Sequence, residues 1–206
     1  MNMMIKSLIT FTLLWLAAPV WAQSTEPNGP KVVVENAVNG ILHALESRSN
    51  PKILTEKDRE AIRKQVDGRF DYHEMARRSV GQAWNQQNTE QQAEFTETFR
   101  QLLERSYGNR LSGYHGQTVE FDSAEFKNDK ARVKTRVIDS NKVTPVFYRL
   151  HQTAGAWQVY DIKIEGVSLI GTFRKDFKGP LRKDGFTGLL KALQDKVARL
   201  KQKDAS

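Results

Sequence analysis

The chain has 206 residues, no cysteine, and 32 Lys and Arg against 24 Asp and Glu, a formal net charge of +8. The absence of thiols excludes a disulfide framework, thiolate metal sites and a lipoprotein cysteine, so the core must hold the fold. A chain of this size buries roughly 70% of its extended surface, enough for one domain with a real core and room for an internal cavity.

At the N-terminus Lys6 precedes an apolar run from Leu8 to Ala18, and the segment closes on Val20-Trp21-Ala22. This is the layout of a secretory signal peptide, so residues 1–22 are expected to be cleaved after Ala22. The apolar run is too short to span a bilayer comfortably, and the polar QSTEPNGPK follows it with no stop-transfer signal. Export also excludes nucleic acid as the reason for the positive charge, leaving anionic headgroups, acidic partner surfaces or solubility. Residues 23–30, with two prolines, one glycine and no apolar side chain, read as a flexible tail. A single domain is expected over 31–201 and a second tail over 202–206.

The domain opens with short helices. Val34, Val38, Ile41 and Leu45 draw one apolar stripe at helical period, ending near Ser49-Asn50-Pro51. Thr55 with Asp58, and Asp71 with Glu74, have the spacing of capping boxes, and Thr89 with Gln92 opens the longest helix. Its stripe runs Phe95, Phe99, Leu102, Leu103, Tyr107, Leu111 and stops at Gly113. After Gly116 the apolar period becomes two. Val119 with Phe121, then 131–138, 143–150 and 157–164, predict four strands divided by Asn128-Asp129, Asp139-Ser140-Asn141 and Ala154-Gly155. Short connections make these an antiparallel meander. Phe186, Leu189, Leu190, Leu193, Val197 and Leu200 then form a last amphipathic helix. Helices, one sheet and helices again is an α+β order, with helices packed on a twisted sheet.

Several segments approach catalytic motifs and miss. In YDIKIEGVSLIGTFRKDF, residues 160–177, the turn Gly166-Val167-Ser168 suggests a nucleophile elbow, but the second glycine comes one residue late, at Gly171. A phosphate loop would need Lys and Ser or Thr after that glycine, where Thr172 and Phe173 stand. Ser168 is better read as a helix N-cap than as a nucleophile. His73-Glu74 lacks the second histidine of a zinc-protease helix, because Arg77 occupies that position. The other histidines, His43, His115 and His151, fall in separate elements, so spacing predicts no metal site. Asp161 and Glu165 alternate with Tyr160, Ile162 and Ile164 and are expected on the solvent side of the strand. Lys130, Arg132, Lys134 and Arg136 share one face of the second strand. A solvated or edge-protecting face is favoured there over a docking surface. No catalytic residue, metal or cofactor is assigned.

Taken together, Phe70-Asp71-Tyr72-x-x-Met75-Ala76-Arg77, Gly81-x-x-Trp84, Phe95-x-x-x-Phe99-x-x-Leu102-Leu103-x-x-x-Tyr107, Pro145-Val146-x-Tyr148, Trp157-x-Val159-Tyr160-Asp161-x-x-x-Glu165-Gly166-Val167-Ser168-Leu169 and Phe173-Arg174-x-x-Phe177 resemble the MlaC family. These are periplasmic phospholipid-binding proteins, also called toluene-tolerance proteins, of an ABC-type phospholipid transport system. The resemblance spans about residues 34–200. It implies a twisted four-stranded antiparallel sheet, similar to nuclear-transport-factor-like cones, covered by several helices that enclose an apolar cavity. It also implies a monomeric soluble carrier that shuttles glycerophospholipid between outer and inner membranes and maintains outer-membrane lipid asymmetry. The implied partners are an outer-membrane lipoprotein–porin complex and an inner-membrane ABC transporter complex with a lipid-binding ring.

On that reading the lipid-contacting wall is expected from Phe70, Met75, Val80, Phe99, Leu103 and Tyr107 on the helices, Tyr148, Tyr160, Ile162 and Ile164 on the sheet, and Val167, Ile170 and Phe173 after it. Arg174, Lys175 and Lys178 are the expected headgroup contacts. The alternative is a periplasmic hydrolase or isomerase of small apolar substrates, which would require a carboxylate or histidine facing the cavity.

Overall fold

The computed structural model describes residues 28–140 and 142–205. The expected signal peptide and residues 23–27 of the tail lie outside them. The first helix, α1 (Pro30–Glu46), begins on a proline, whose fixed φ and missing N–H suit the first helical position. In α2 (Glu56–Val66) the expected capping box is complete: Thr55 Oγ1 accepts from Asp58 N at 3.2 Å, and Asp58 Oδ2 accepts from Thr55 N at 2.8 Å.

The box expected at α3 (Tyr72–Val80) is half made. Asp71 accepts from Glu74 N at 2.8 Å, but Asp71 N donates to Val159 O at 2.9 Å, and the Glu74 carboxylate pairs with Arg77 and Arg78 instead. A 3-10 turn (Gly81–Gln86) leads to α4 (Thr89–Leu111), whose cap is one residue earlier than expected. Asn88 Oδ1 accepts from Gln91 N at 2.9 Å and Gln91 Oε1 accepts from Asn88 N at 3.1 Å.

Five strands follow in meander order: β1 (Thr118–Lys127), β2 (Lys130–Asp139), β3 (Lys142–Thr153), β4 (Ala156–Ile164) and β5 (Val167–Ser168). The four expected strands are present, and the two-residue β5 folds back on the end of β4, pairing Val167 with Ile164. Arg69–Asp71 lines the other half of β4, with Val159 N donating to Arg69 O at 2.8 Å. The β4 edge is thereby covered at Val159 and at its last two residues. The last helical segment, α5 (Leu169–Ala205), breaks at Gly185, whose φ of 67° and ψ of −172° split it in two. The second half starts at Phe186, where the last amphipathic stripe was expected.

The apolar residues form two cores. One, among α3, α4 and α5, contains Met75, Trp84, Phe95, Phe99, Phe173 and Phe177. The other clamps α1 on the sheet through Val34, Val38, Val133, Leu150, Trp157 and Val159. Phe70 packs against both. The space left between them is the candidate site.

Candidate functional site

That space is a cavity of about 370 Å³ bounded by α1, α2, α4, the start of α3 and the concave face of the sheet. Its size lies in the range of small-molecule ligand pockets. Helical period explains the wall on α4. Phe95, Phe99 and Leu102 recur at spacings that turn toward α3 and α5, whereas Leu103, Tyr107 and Leu111 lie further round and reach the cavity.

Seven of the expected wall residues do line the cavity: Phe70, Met75, Leu103, Tyr107, Tyr148, Ile162 and Ile164. Val80, Phe99, Ile170 and Phe173 do not; they are buried in the helical core, where the Phe99 and Phe173 rings meet edge to face with centroids 5.1 Å apart. Val167 is 64% exposed on β5. Tyr160 is displaced by a bulge: Arg149 pairs with Asp161 and Leu150 with Val159, so Tyr160 has no partner across β3. Its ring lies 4.3 Å under the Arg78 guanidinium, outside the cavity.

The same bulge corrects the expectation for Asp161. Strict alternation puts it in solvent, yet it is 3% exposed. Its carboxylate accepts from Ser168 Oγ at 2.8 Å and Ile170 N at 3.2 Å, and pairs with Arg149 at 3.3 Å. Ser168 in turn accepts from Gly171 N at 2.9 Å, the N-cap bond expected from the sequence. Glu165 is exposed, as expected, and pairs with Lys142 at 3.0 Å. Ser168→Ala should therefore lower stability by about 1–2 kcal/mol in urea unfolding. Because Ser168 lies outside the cavity, the variant should keep its ligand, and a folded Ser168→Ala protein that has lost it would refute the capping role.

Arg174, Lys175 and Lys178 are exposed on α5 and none lines the cavity. Arg174 lies over Gly81, where a Cβ would stand 3.3 Å from its guanidinium. The charged side chains in the wall are Arg59, Arg63, Glu104 and Arg110. Glu104, the carboxylate of that set, has both oxygens engaged by Arg63 and Arg100. Arg110 and Ile164 are the exposed members of the wall, so the mouth lies between the end of α4 and the end of β4. The Arg110 guanidinium stacks 5.0 Å from the Tyr107 ring there.

The wall also contains phenol hydroxyls. Burial pushes the Tyr148 phenol up to about 12, and desolvation likewise raises Tyr72 and Tyr107, so all three are neutral at physiological pH. Outside the cavity, the basic face of β2 is matched by β1: Arg132 pairs with Glu125, Lys134 with Asp122, and Arg136 with Glu120 and Asp122. This supports the solvated-face reading. Among the described residues, no three His, Asp or Glu side chains come together in a group able to hold a metal ion.

A meander with helices packed over it and an apolar cavity between them defines an α+β protein with room for an apolar ligand. Residues 35–195 match the model of the MlaC protein family, and the chain belongs to that family. It is similar to the intermembrane phospholipid transport system binding protein MlaC of Haemophilus influenzae, at 27% identity over 58% of this chain and 59% of that protein. It is also similar to the toluene tolerance protein ttg2D of Pseudomonas putida, at 33% identity over 47% of this chain and 46% of that protein. The matched segments thus span about half to six tenths of these curated relatives. Among solved structures, the phospholipid-binding protein of Ralstonia solanacearum, in complex with a phospholipid, shares the fold. The TM-score is 0.76 at 24% identity, covering 84% of this chain and 98% of that one.

Proposed function

We propose that this protein is a soluble periplasmic carrier that holds the acyl chains of a glycerophospholipid in the cavity and shuttles the lipid between outer and inner membranes, maintaining outer-membrane asymmetry. The observation that carries the reading is an apolar cavity of about 370 Å³ in a chain of the MlaC family. Burying hydrocarbon is worth ~0.8 kcal/mol per methylene, so a chain of about fifteen methylenes costs roughly 12 kcal/mol to hold in water. A two-chain lipid therefore needs a sleeve to cross an aqueous gap. A wall of low specificity, with few polar contacts, also lets the cargo leave for a bilayer. The partners of this reading are an outer-membrane lipoprotein–porin complex and an inner-membrane ABC transporter complex with a lipid-binding ring.

Arg110 replaces Arg174, Lys175 and Lys178 as the headgroup candidate, because it is the exposed cation on the mouth. Among the described residues, no helix is long and apolar enough to cross a membrane. The hydrolase or isomerase alternative has little to stand on, since the wall contains no histidine and its carboxylate is committed to two arginines. The full chain, purified without detergent, should show diacyl phospholipid in its native mass spectrum and on thin-layer chromatography of an extract. Protein free of lipid under gentle purification would defeat the proposal.

A further inference from the structure

The cavity wall beside α2 has a second chamber behind it, partly polar and open to solvent along Ile53, Thr55, Glu56 and Lys201. That chamber, about 540 Å³, lies between the start of α2 and the last turn of α5, with Glu56, Arg105, Lys201 and Asp204 in its lining. It shares two residues with the apolar cavity, Leu54 and Arg59. Both are buried, at 5% and 6% exposure.

The partition is built rather than incidental. Arg59 Nη2 donates to Asp204 at 2.9 Å, and the same carboxylate oxygen accepts from Arg105 Nη1 at 2.9 Å. Arg105 Nη2 donates to Glu56 at 2.6 Å, tying α2, α4 and the end of α5 together. The guanidinium of Arg59 lies across α4 where that helix has no side chain. A Cβ at Gly108 would stand 2.6 Å from Arg59 Nη1 and 3.8 Å from Leu54 Cδ1. Leu54, Arg59 and Gly108 thus meet at one point between the chambers.

A hydrocarbon chain in the apolar cavity could advance past this point only by separating a buried ion pair, and that costs more than burying a further methylene or two gains. We propose that Arg59, seated on Gly108 beside Leu54 and held by Asp204, is a specificity-determining partition that stops the acyl chains and sets the length and number of chains the cavity accepts. The inference rests on the carrier reading above.

The test compares the unmodified full chain with Arg59→Ala, Leu54→Ala and Arg59→Met. Each is loaded with a mixture of phosphatidylglycerols of increasing chain length and read by native mass spectrometry, with folding checked by circular dichroism. Arg59→Ala should raise the ratio of longer-chain to shorter-chain lipid retained by about tenfold, the gain from burying roughly two further methylenes, or admit an additional lipid. Leu54→Ala should shift the ratio in the same direction without touching a charge. Arg59→Met, which keeps the bulk, should shift it less than Arg59→Ala. If Arg59→Ala fails to fold, Leu54→Ala decides. Folded Leu54→Ala or Arg59→Ala protein with the same lipid ratio and stoichiometry as the unmodified chain overturns the partition. Unmodified protein that takes up none of these lipids overturns the carrier reading instead, and the partition with it.

Discussion

Ala37→Trp should abolish lipid retention while leaving the protein folded. Ala37 is 2% exposed on α1 and lines the cavity, so a larger side chain there grows into empty space rather than into packed core. An indole that displaces four or five methylenes of an acyl chain removes roughly 3–4 kcal/mol of burial at ~0.8 kcal/mol each, a loss of a few hundredfold in affinity. The measurement is displacement of a fluorescent phospholipid, with a thermal melt alongside. Because ligand binding stabilises the native state by mass action, the unmodified protein should also lose melting temperature when stripped of lipid, and Ala37→Trp should not respond to the same treatment. Wild-type retention in a folded Ala37→Trp protein would show that the chains lie elsewhere.

The fold was legible in the sequence because its signals are local and redundant. The period-two runs after Gly116, the turn residues at Asn128, Ser140 and Ala154, each of which takes positive φ, and the box at Thr55 all lie where sequence rules place them. The site was half legible, for three physical reasons. A helical stripe does not say which of its residues meet only another helix and which also meet a void, so Phe99 and Leu103 look equivalent in sequence, yet both belong to the helical core and only Leu103 borders the cavity. The stripe of Val34, Val38 and Ile41 on α1 lines the cavity too, but nothing in it distinguishes a cavity wall from an ordinary core face. The second reason is the bulge at Tyr160. It moves Tyr160 out of the cavity and buries Asp161, and no turn residue announces it. The charged margin was invisible for a third cause: Arg59, Arg105 and Asp204 come from α2, α4 and the end of α5, and only the fold brings them together.

The bulge has an energetic consequence at the segment that first suggested a catalytic turn. Asp161→Ala should destabilise the protein by about 2–4 kcal/mol, more than Ser168→Ala. Removing the carboxylate strands Ser168 Oγ and the buried Ile170 N–H, each costing about 1–3 kcal/mol when left unsatisfied. The Arg149 contribution is smaller, because its side chain is 43% exposed and water can take over the lost pairing. For a domain of this size the loss corresponds to a fall of roughly 5–15 °C in melting temperature. Asp161 and Ser168 act on the same helix start, so their effects should not add. The Asp161→Ala, Ser168→Ala double variant should be closer to Asp161→Ala alone than to the sum of the two. Additive losses would mean that the two residues act independently. The coupling has a bearing on the cavity as well, since Leu169, the first residue of α5, lines it and is fixed in place by this cap. The cap thus holds the wall beside β4 in place through Leu169, and because neither Asp161 nor Ser168 lines the cavity, variants that stay folded should lose stability rather than their ligand.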